Sequence, residues 1–82
     1  MKLPRDVSAG DLEKALRRNF DYHFSRQVGS HRRLTSTRSS SQHHLTIPAH
    51  DPLKPGTLRA ILGEVAEHHG LSLEALLTKL KL

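Results

Sequence analysis

The spacing of apolar residues changes its period twice along this chain, and the order of the periods limits the possible folds. Leu12, Ala15 and Leu16 repeat at the spacing of one helix face. Ser8 precedes them and is a favourable N-cap residue. We expect the helix to end near Asn19, because asparagine tolerates the left-handed backbone of a helix C-terminus.

A period of two replaces the helical period after this point, which indicates β-strands. Aromatic residues alternate with polar ones in the first run, so we expect a half-buried strand with its aromatic side inward. The inward residues are Phe20, Tyr22 and Phe24, and the outward ones are Asp21, His23 and Ser25.

Two further strands are expected after a tight turn at Gly29-Ser30. Strand character resumes from His31 to Thr35, which predicts a hairpin. Residues 36–42 are rich in serine and form a predicted loop. The third strand runs from His43 to Ile47 and is ended by Pro48.

Helical spacing returns after a second loop at residues 52–56. Gly70 marks the end of the second helix and Ser72 the start of a short last helix. The apolar stripe of the second helix consists of Leu58, Ile61, Leu62 and Val65. The pattern therefore predicts one α+β domain over residues 1–82, with the order α-β-β-β-α-α and a three-stranded antiparallel sheet covered by helices on one face.

Strand alternation divides the side chains of this sheet between a covered and an open face. The covered face is expected to hold Phe20, Tyr22, Phe24, Leu34, Leu45 and Ile47. The open face is expected to hold His23, Ser25, His31, Arg33, Thr35, His44 and Thr46. A slip of one residue would exchange the two sets. Three histidines and an arginine on an open face are unusual in a purely structural domain.

The net charge of +5 is confined to one half of the chain. Residues 1–39 hold nine Lys and Arg against four Asp and Glu, whereas residues 40–82 hold four of each. A localised positive field is typical of proteins that bind polyanions, although a solvated basic surface has the same composition. The absence of cysteine excludes disulfides and thiolate metal sites.

No stretch approaches the ~20 apolar residues of a membrane span. The first residues also lack the apolar run of a signal peptide, so we expect a cytoplasmic protein.

Gly29-Ser30-His31 is the feature that points most directly to chemistry. A turn glycine lets backbone approach a ligand closely, and His31 then stands on a rigid strand. An imidazole can act as general acid or base, and RNA supplies its own nucleophile, the 2′-hydroxyl. A plain surface histidine beside a turn is the alternative interpretation. The residues expected to hold phosphates are Arg26, Gly29, Ser30, Arg32, Arg33 and Lys54, although most such charges are simply solvated.

Neither histidine pair in the sequence suggests a metal site. His43-His44 lie on a predicted strand, where neighbours point to opposite faces, and His68-His69 diverge on a helix. We therefore expect no metal ion and no cofactor.

Four motifs in this order resemble the HicA family of toxins. They are Leu3-Pro4-Arg5, Arg26-Gln27-Val28-Gly29-Ser30-His31, Leu45-Thr46-Ile47-Pro48-Ala49-His50 and Gly56-Thr57-Leu58-Arg59-Ala60-Ile61-Leu62. The resemblance implies a fold like that of double-stranded-RNA-binding domains and metal-independent cleavage of mRNA, with His31 essential. It also implies neutralisation by an antitoxin of the HicB type.

Two other functions remain open from the sequence. A non-catalytic double-stranded-RNA-binding module needs cations but no histidine at a hairpin turn, so Gly29-Ser30-His31 favours the enzyme. A protein-interaction module whose partner alone is active is the other alternative.

Overall fold

The computed structural model describes residues 3–38 and 42–82 and confirms the predicted order of elements. Residues 39–41 of the predicted loop at 36–42 lie outside the described residues. The second helix starts inside the predicted loop at 52–56, because proline favours the first position of a helix. The elements are α1 (Ala9–Phe20), β1 (Tyr22–Val28), β2 (His31–Ser36), β3 (His43–Pro48), α2 (Pro55–His68) and α3 (Leu73–Leu80).

Serine side chains cap two of these helices, as their positions in the sequence predict. Ser8 Oγ accepts a hydrogen bond from the backbone N–H of Asp11 at 3.0 Å. Ser72 Oγ accepts one from the N–H of Ala75 at 3.1 Å. Gly70 follows α2 with a φ of +66°, a left-handed conformation that glycine adopts without strain. These residues fix where the helices that cover the sheet begin and end.

The left-handed residue that ends α1 lies two positions later than the predicted Asn19. The helix continues through Phe20, and Asp21 takes the left-handed conformation, with a φ of +56°. The Asp21 N–H donates to the carbonyl of Leu16. Asn19 stays helical and its side chain donates instead to the carbonyl of Ala15 at 2.8 Å. Aspartate and asparagine both tolerate this conformation, and the longer helix includes the buried Phe20.

The sheet has the order β1-β2-β3 with both pairings antiparallel. The β1–β2 register shifts by one residue at a β-bulge. Leu34 lies opposite Phe24, whereas Arg33 lies opposite Arg26, which leaves Ser25 as the extra residue. A bulge reverses the alternation of side chains on the strand beyond it. Arg26 therefore joins the open face of the sheet.

The predicted division of the sheet into two faces is confirmed except at the edge strand. Four residues of the covered face are at most 2% exposed: Tyr22, Leu34, Leu45 and Ile47. Phe20 is buried too, but as part of α1. The expected burial of Phe24 is wrong, since 44% of it is exposed. Phe24 lies on an edge strand beside the bulge, where the guanidinium of Arg32 lies 4.2 Å from its ring centroid.

The helices α1 and α2 pack their apolar stripes against the covered face, and α3 packs against α1 and α2. The large aliphatic residues that the helices bury are Leu12, Leu16, Leu58, Ile61, Leu62, Val65, Leu76 and Leu80. None of the helices in the described part of the chain has the length and apolar character needed to cross a membrane.

Shortening a core side chain of α2 should destabilise the fold. Leu58 and Ile61 are 2% and 6% exposed, so Leu58→Ala or Ile61→Ala should lower the free energy of unfolding by about 2–5 kcal/mol. Urea denaturation measures this. Arg59→Ala on the exposed side of α2 is the control and should change stability by less than about 0.5 kcal/mol. Losses that small at both core positions would contradict this account of the core.

Candidate active site

The turn that joins β1 to β2 is held in place from two sides. Gly29 has a φ of +59°, which a residue with a side chain rarely adopts. The side-chain amide of Gln27 donates to the carbonyl of Gly29 at 2.9 Å. The carbonyl of Ser30 accepts from the backbone N–H of Ala49 at 2.6 Å. The turn before His31 is thus tied to β1 and to the end of β3.

His31 is the first residue of β2 and its side chain is exposed. It lies opposite Val28 on β1 and Pro48 on β3, so the strand that carries it is paired on both sides. The imidazole borders a shallow cleft of about 270 Å³ on the open face. The cleft is lined by Arg26, Val28, His31, Arg33 and Thr46.

Two arginines face each other beside His31. Arg26 pairs with Arg33 across β1 and β2, and it reaches this face only because of the bulge. Within residues 3–38 and 42–82 neither guanidinium forms an ion pair with a carboxylate. Both are therefore able to bind an anion. The cleft thus places an imidazole, a group that can donate or accept a proton, beside two guanidinium groups.

A second row of polar side chains continues along the open face. His23 and His44 flank Thr35 in the register of the sheet. The hydroxyl of Thr35 and Nδ1 of His44 lie 3.0 Å apart and share a hydrogen bond. Both histidines are exposed. The face therefore offers polar groups beyond the cleft along the same strands.

Two of the predicted phosphate ligands lie elsewhere. The side chain of Arg32 points to the covered side, where Nε and Nη2 donate to the two carboxylate oxygens of Glu13 at 2.7 and 3.0 Å. These hydrogen bonds, against the opposing effect of burial, lower the pKa of Glu13. Lys54 is exposed at the N-cap of α2 and does not line the cleft. The structure thus groups Arg26, Arg33 and the Gly29-Ser30 turn with His31.

A comparison with protein-family models identifies the family. The model for the HicA toxin of bacterial toxin–antitoxin systems matches residues 9–70. The chain belongs to the HicA toxin family. No curated protein and no solved structure matches it. The match runs from the start of α1 to Gly70 and includes the cleft, and the family assigns a toxin role with an antitoxin partner.

This HicA toxin contains a second histidine cluster that the sequence did not reveal. Tyr22 Oη lies 2.6 Å from Nδ1 of His43 and 3.1 Å from Nε2 of His69. The rings of His43 and His68 stack with centroids 4.4 Å apart. The pairs His43-His44 and His68-His69 were predicted not to act together as neighbours. The histidines instead meet across two elements, since His43 lies on β3 and His68 on α2. A contact between residues so far apart in the chain leaves no local signal in the sequence.

Burial shifts the ionisation of this cluster towards the neutral forms. Burial and the nearby Glu64 carboxylate raise the pKa of Tyr22 to about 12. Burial, and then the charge of His68, lower the pKa values of His43 and His69. No group of three or more His, Asp or Glu side chains in the described ranges is arranged to hold a metal ion.

The lowered histidine pKa values predict a loss of stability in mild acid. The unfolded state, with histidine pKa values near 6.5, takes up protons before the folded state does. The free energy of unfolding should therefore be constant above that value and fall as the pH decreases through 6.5 towards 5. Urea midpoints measured across this range test the prediction.

A double variant isolates the contribution of the cluster. His43→Asn with His69→Gln keeps hydrogen-bonding atoms near Tyr22 but removes the titrating rings, so the acid-induced loss should shrink. His50→Gln, at an exposed position outside the cluster, is the control and should keep the wild-type profile. A double variant with the wild-type pH profile would exclude the cluster as the cause.

Proposed function

We propose that this HicA toxin is an endoribonuclease that cleaves mRNA, with His31 as its general acid and base. The observation that carries the proposal is the position of His31, which is exposed in one cleft with Arg26 and Arg33. Neither arginine forms an ion pair among the described residues. A polyanionic substrate fits the net charge of +5. Because the proposed substrate is mRNA, we expect the protein to act in the cytoplasm.

The reaction needs only groups that this cleft and RNA provide. The imidazole of His31 takes the proton of a ribose 2′-hydroxyl, and the 2′-oxygen forms a bond to the adjacent phosphorus. The bond from phosphorus to the 5′-oxygen of the next nucleotide breaks, and the imidazolium returns its proton to that oxygen. The products are a 2′,3′-cyclic phosphate and a 5′-hydroxyl. Because RNA supplies the nucleophile, the step requires no metal-bound water.

The remaining groups of the cleft would bind the phosphate. Arg26 and Arg33 are placed to neutralise charge that builds up on the non-bridging oxygens. Gly29 and Ser30 bring backbone close to the same position, because no side chain occupies the space at Gly29. Phosphate contacts of this kind position a substrate without reading its sequence.

We assign the antitoxin of the HicB type to the open face of the sheet. The family implies an antitoxin partner. An antitoxin seated over the cleft would exclude RNA from His31 directly. It would also stabilise this small domain, since a partner that binds only the folded state raises its stability.

Truncating His31 should abolish cleavage without unfolding the domain. His31→Ala should lower the rate of RNA cleavage by a factor on the order of 10² or more and remove toxicity, because proton transfer is lost. The side chain is exposed, so stability should change by less than about 0.5 kcal/mol. Cleavage of purified RNA in the presence of EDTA and thermal denaturation give the two readouts.

Three further variants separate proton transfer from positioning. His31→Gln keeps a hydrogen-bonding side chain but cannot exchange a proton near neutral pH, so it should bind RNA and fail to cleave it. His44→Ala and His50→Ala should each lose less activity than His31→Ala. Wild-type cleavage by His31→Ala would refute the proposal. A gel shift without cleavage by the wild-type protein would instead support the non-catalytic double-stranded-RNA-binding module.

Binding should depend strongly on salt because phosphate contacts release bound cations from RNA. Arg26→Ala and Arg33→Ala should each weaken binding across RNA sequences and reduce the salt slope by about one unit. Arg59→Ala, which removes an exposed charge from α2, is the matched control. Filter binding of the non-cleaving His31→Ala variant at several salt concentrations measures these effects. Affinity that does not change with salt would contradict the phosphate-binding cleft.

A further inference from the structure

A chain of hydrogen bonds connects α1 to the turn that precedes His31. It begins at Glu13, which is only 8% exposed although it carries a charge. Arg32 donates to both oxygens of this carboxylate, in the two-pronged geometry that fixes a guanidinium most firmly. Arg32 Nη1 then donates to Oε1 of Gln27 at 3.1 Å. Gln27 in turn donates through Nε2 to the carbonyl of Gly29 at 2.9 Å.

The side chains of Arg32 and Gln27 each form hydrogen bonds to two neighbours in this series. Nε, Nη1 and Nη2 of Arg32 all donate within it, and the face of the guanidinium lies against the ring of Phe24. The amide of Gln27 uses its oxygen towards Arg32 and its nitrogen towards Gly29. The carboxylate of Glu13 also accepts a hydrogen bond from outside this series, since Arg17 Nη2 donates to Oε2 at 2.9 Å. Arg32 is thus oriented for the turn and not for a phosphate.

We propose that Glu13, Arg32 and Gln27 are positioning residues that hold the Gly29-Ser30 turn, and with it the imidazole of His31, in the geometry for cleavage. The proposal rests on the function proposed above and changes the role of Arg32 from phosphate ligand to support. A displacement of about 1 Å in a reacting group can cost on the order of 10² in rate. Hydrogen bonds that hold the turn in place, on the side of the sheet opposite the cleft, would therefore preserve the cleavage rate.

Gln27→Met is the most direct test, because it keeps the length of an exposed side chain and removes only its two hydrogen bonds. The rate at saturating RNA should fall on the order of ten- to a hundredfold. The dissociation constant for RNA, measured with His31→Ala added, should stay at its wild-type value with an unchanged salt slope. Arg32→Met should behave in the same way.

Arg17→Met is the matched control. It removes the other arginine partner of Glu13 but leaves the connection to the turn intact, so its cleavage rate should equal that of the wild type. Combining Gln27→Met with Arg32→Met should lower the cleavage rate little more than either change alone, since both interrupt the same series of hydrogen bonds. A merely structural role would lower stability and leave the rate of the folded protein unchanged.

Nuclear magnetic resonance separates this proposal from the proposed activity. The backbone order parameters of Gly29 and Ser30 should fall in Gln27→Met and remain at wild-type values in Arg17→Met, whether or not RNA is cleaved. Unchanged order parameters, or a wild-type rate in Gln27→Met, would overturn the positioning role. Weaker RNA binding with a reduced salt slope in Arg32→Met would show a phosphate ligand instead. Wild-type protein that does not cleave RNA would refute the proposed function. The order parameters would still show whether the hydrogen bonds from Glu13 through Arg32 and Gln27 hold the turn.

Discussion

The central strand β2 pairs with a neighbour along both edges, and its side chains alternate between two environments. Leu34 and Ser36 face the core, where Ser36 Oγ donates to the carbonyl of Phe20. His31 and Arg33 face the open side and border the cleft. Because a shift of one residue would exchange these sets, the buried residues of β2 determine which side chains are presented to a substrate. The candidate site therefore depends on the packing of Leu34 as well as on the side chain of His31.

Two sets of polar contacts connect the sheet that carries the candidate site to the helices and strands around it. The guanidinium of Arg32 ties β2 to Glu13 on α1, one residue away from His31. At the other end of the sheet, Tyr22 joins β1 to His43 on β3 and to His69 beyond α2. Both connections are polar and partly buried, where hydrogen bonds have little competition from water. They add polar contacts between elements to the limited apolar core of a short chain.

The sequence predicted the features that depend on local chemistry and missed those that depend on contacts distant in the chain. Ser8, Ser72 and Gly29 have roles that neighbouring residues determine, and all three were predicted. The bulge beside Phe24 was not, because one extra residue in a strand leaves the apolar pattern almost unchanged. Arg32 was predicted to bind phosphate from its charge beside the hairpin, and the sequence carried no signal of its contact with Glu13, nineteen residues earlier. The histidine cluster was missed for the same reason.

The most direct test of the account is the chemistry of the RNA ends that the protein produces. RNA cleaved in EDTA by the wild-type chain, with His31→Ala prepared in parallel to reveal contaminating nucleases, should be analysed by mass spectrometry. If His31 activates the 2′-hydroxyl, the wild-type products carry 2′,3′-cyclic phosphates and 5′-hydroxyls that the variant does not produce. Products with 5′-phosphates and 3′-hydroxyls would show that water is the nucleophile and would contradict the mechanism. Equal amounts of cyclic phosphate from both preparations would contradict the role of His31.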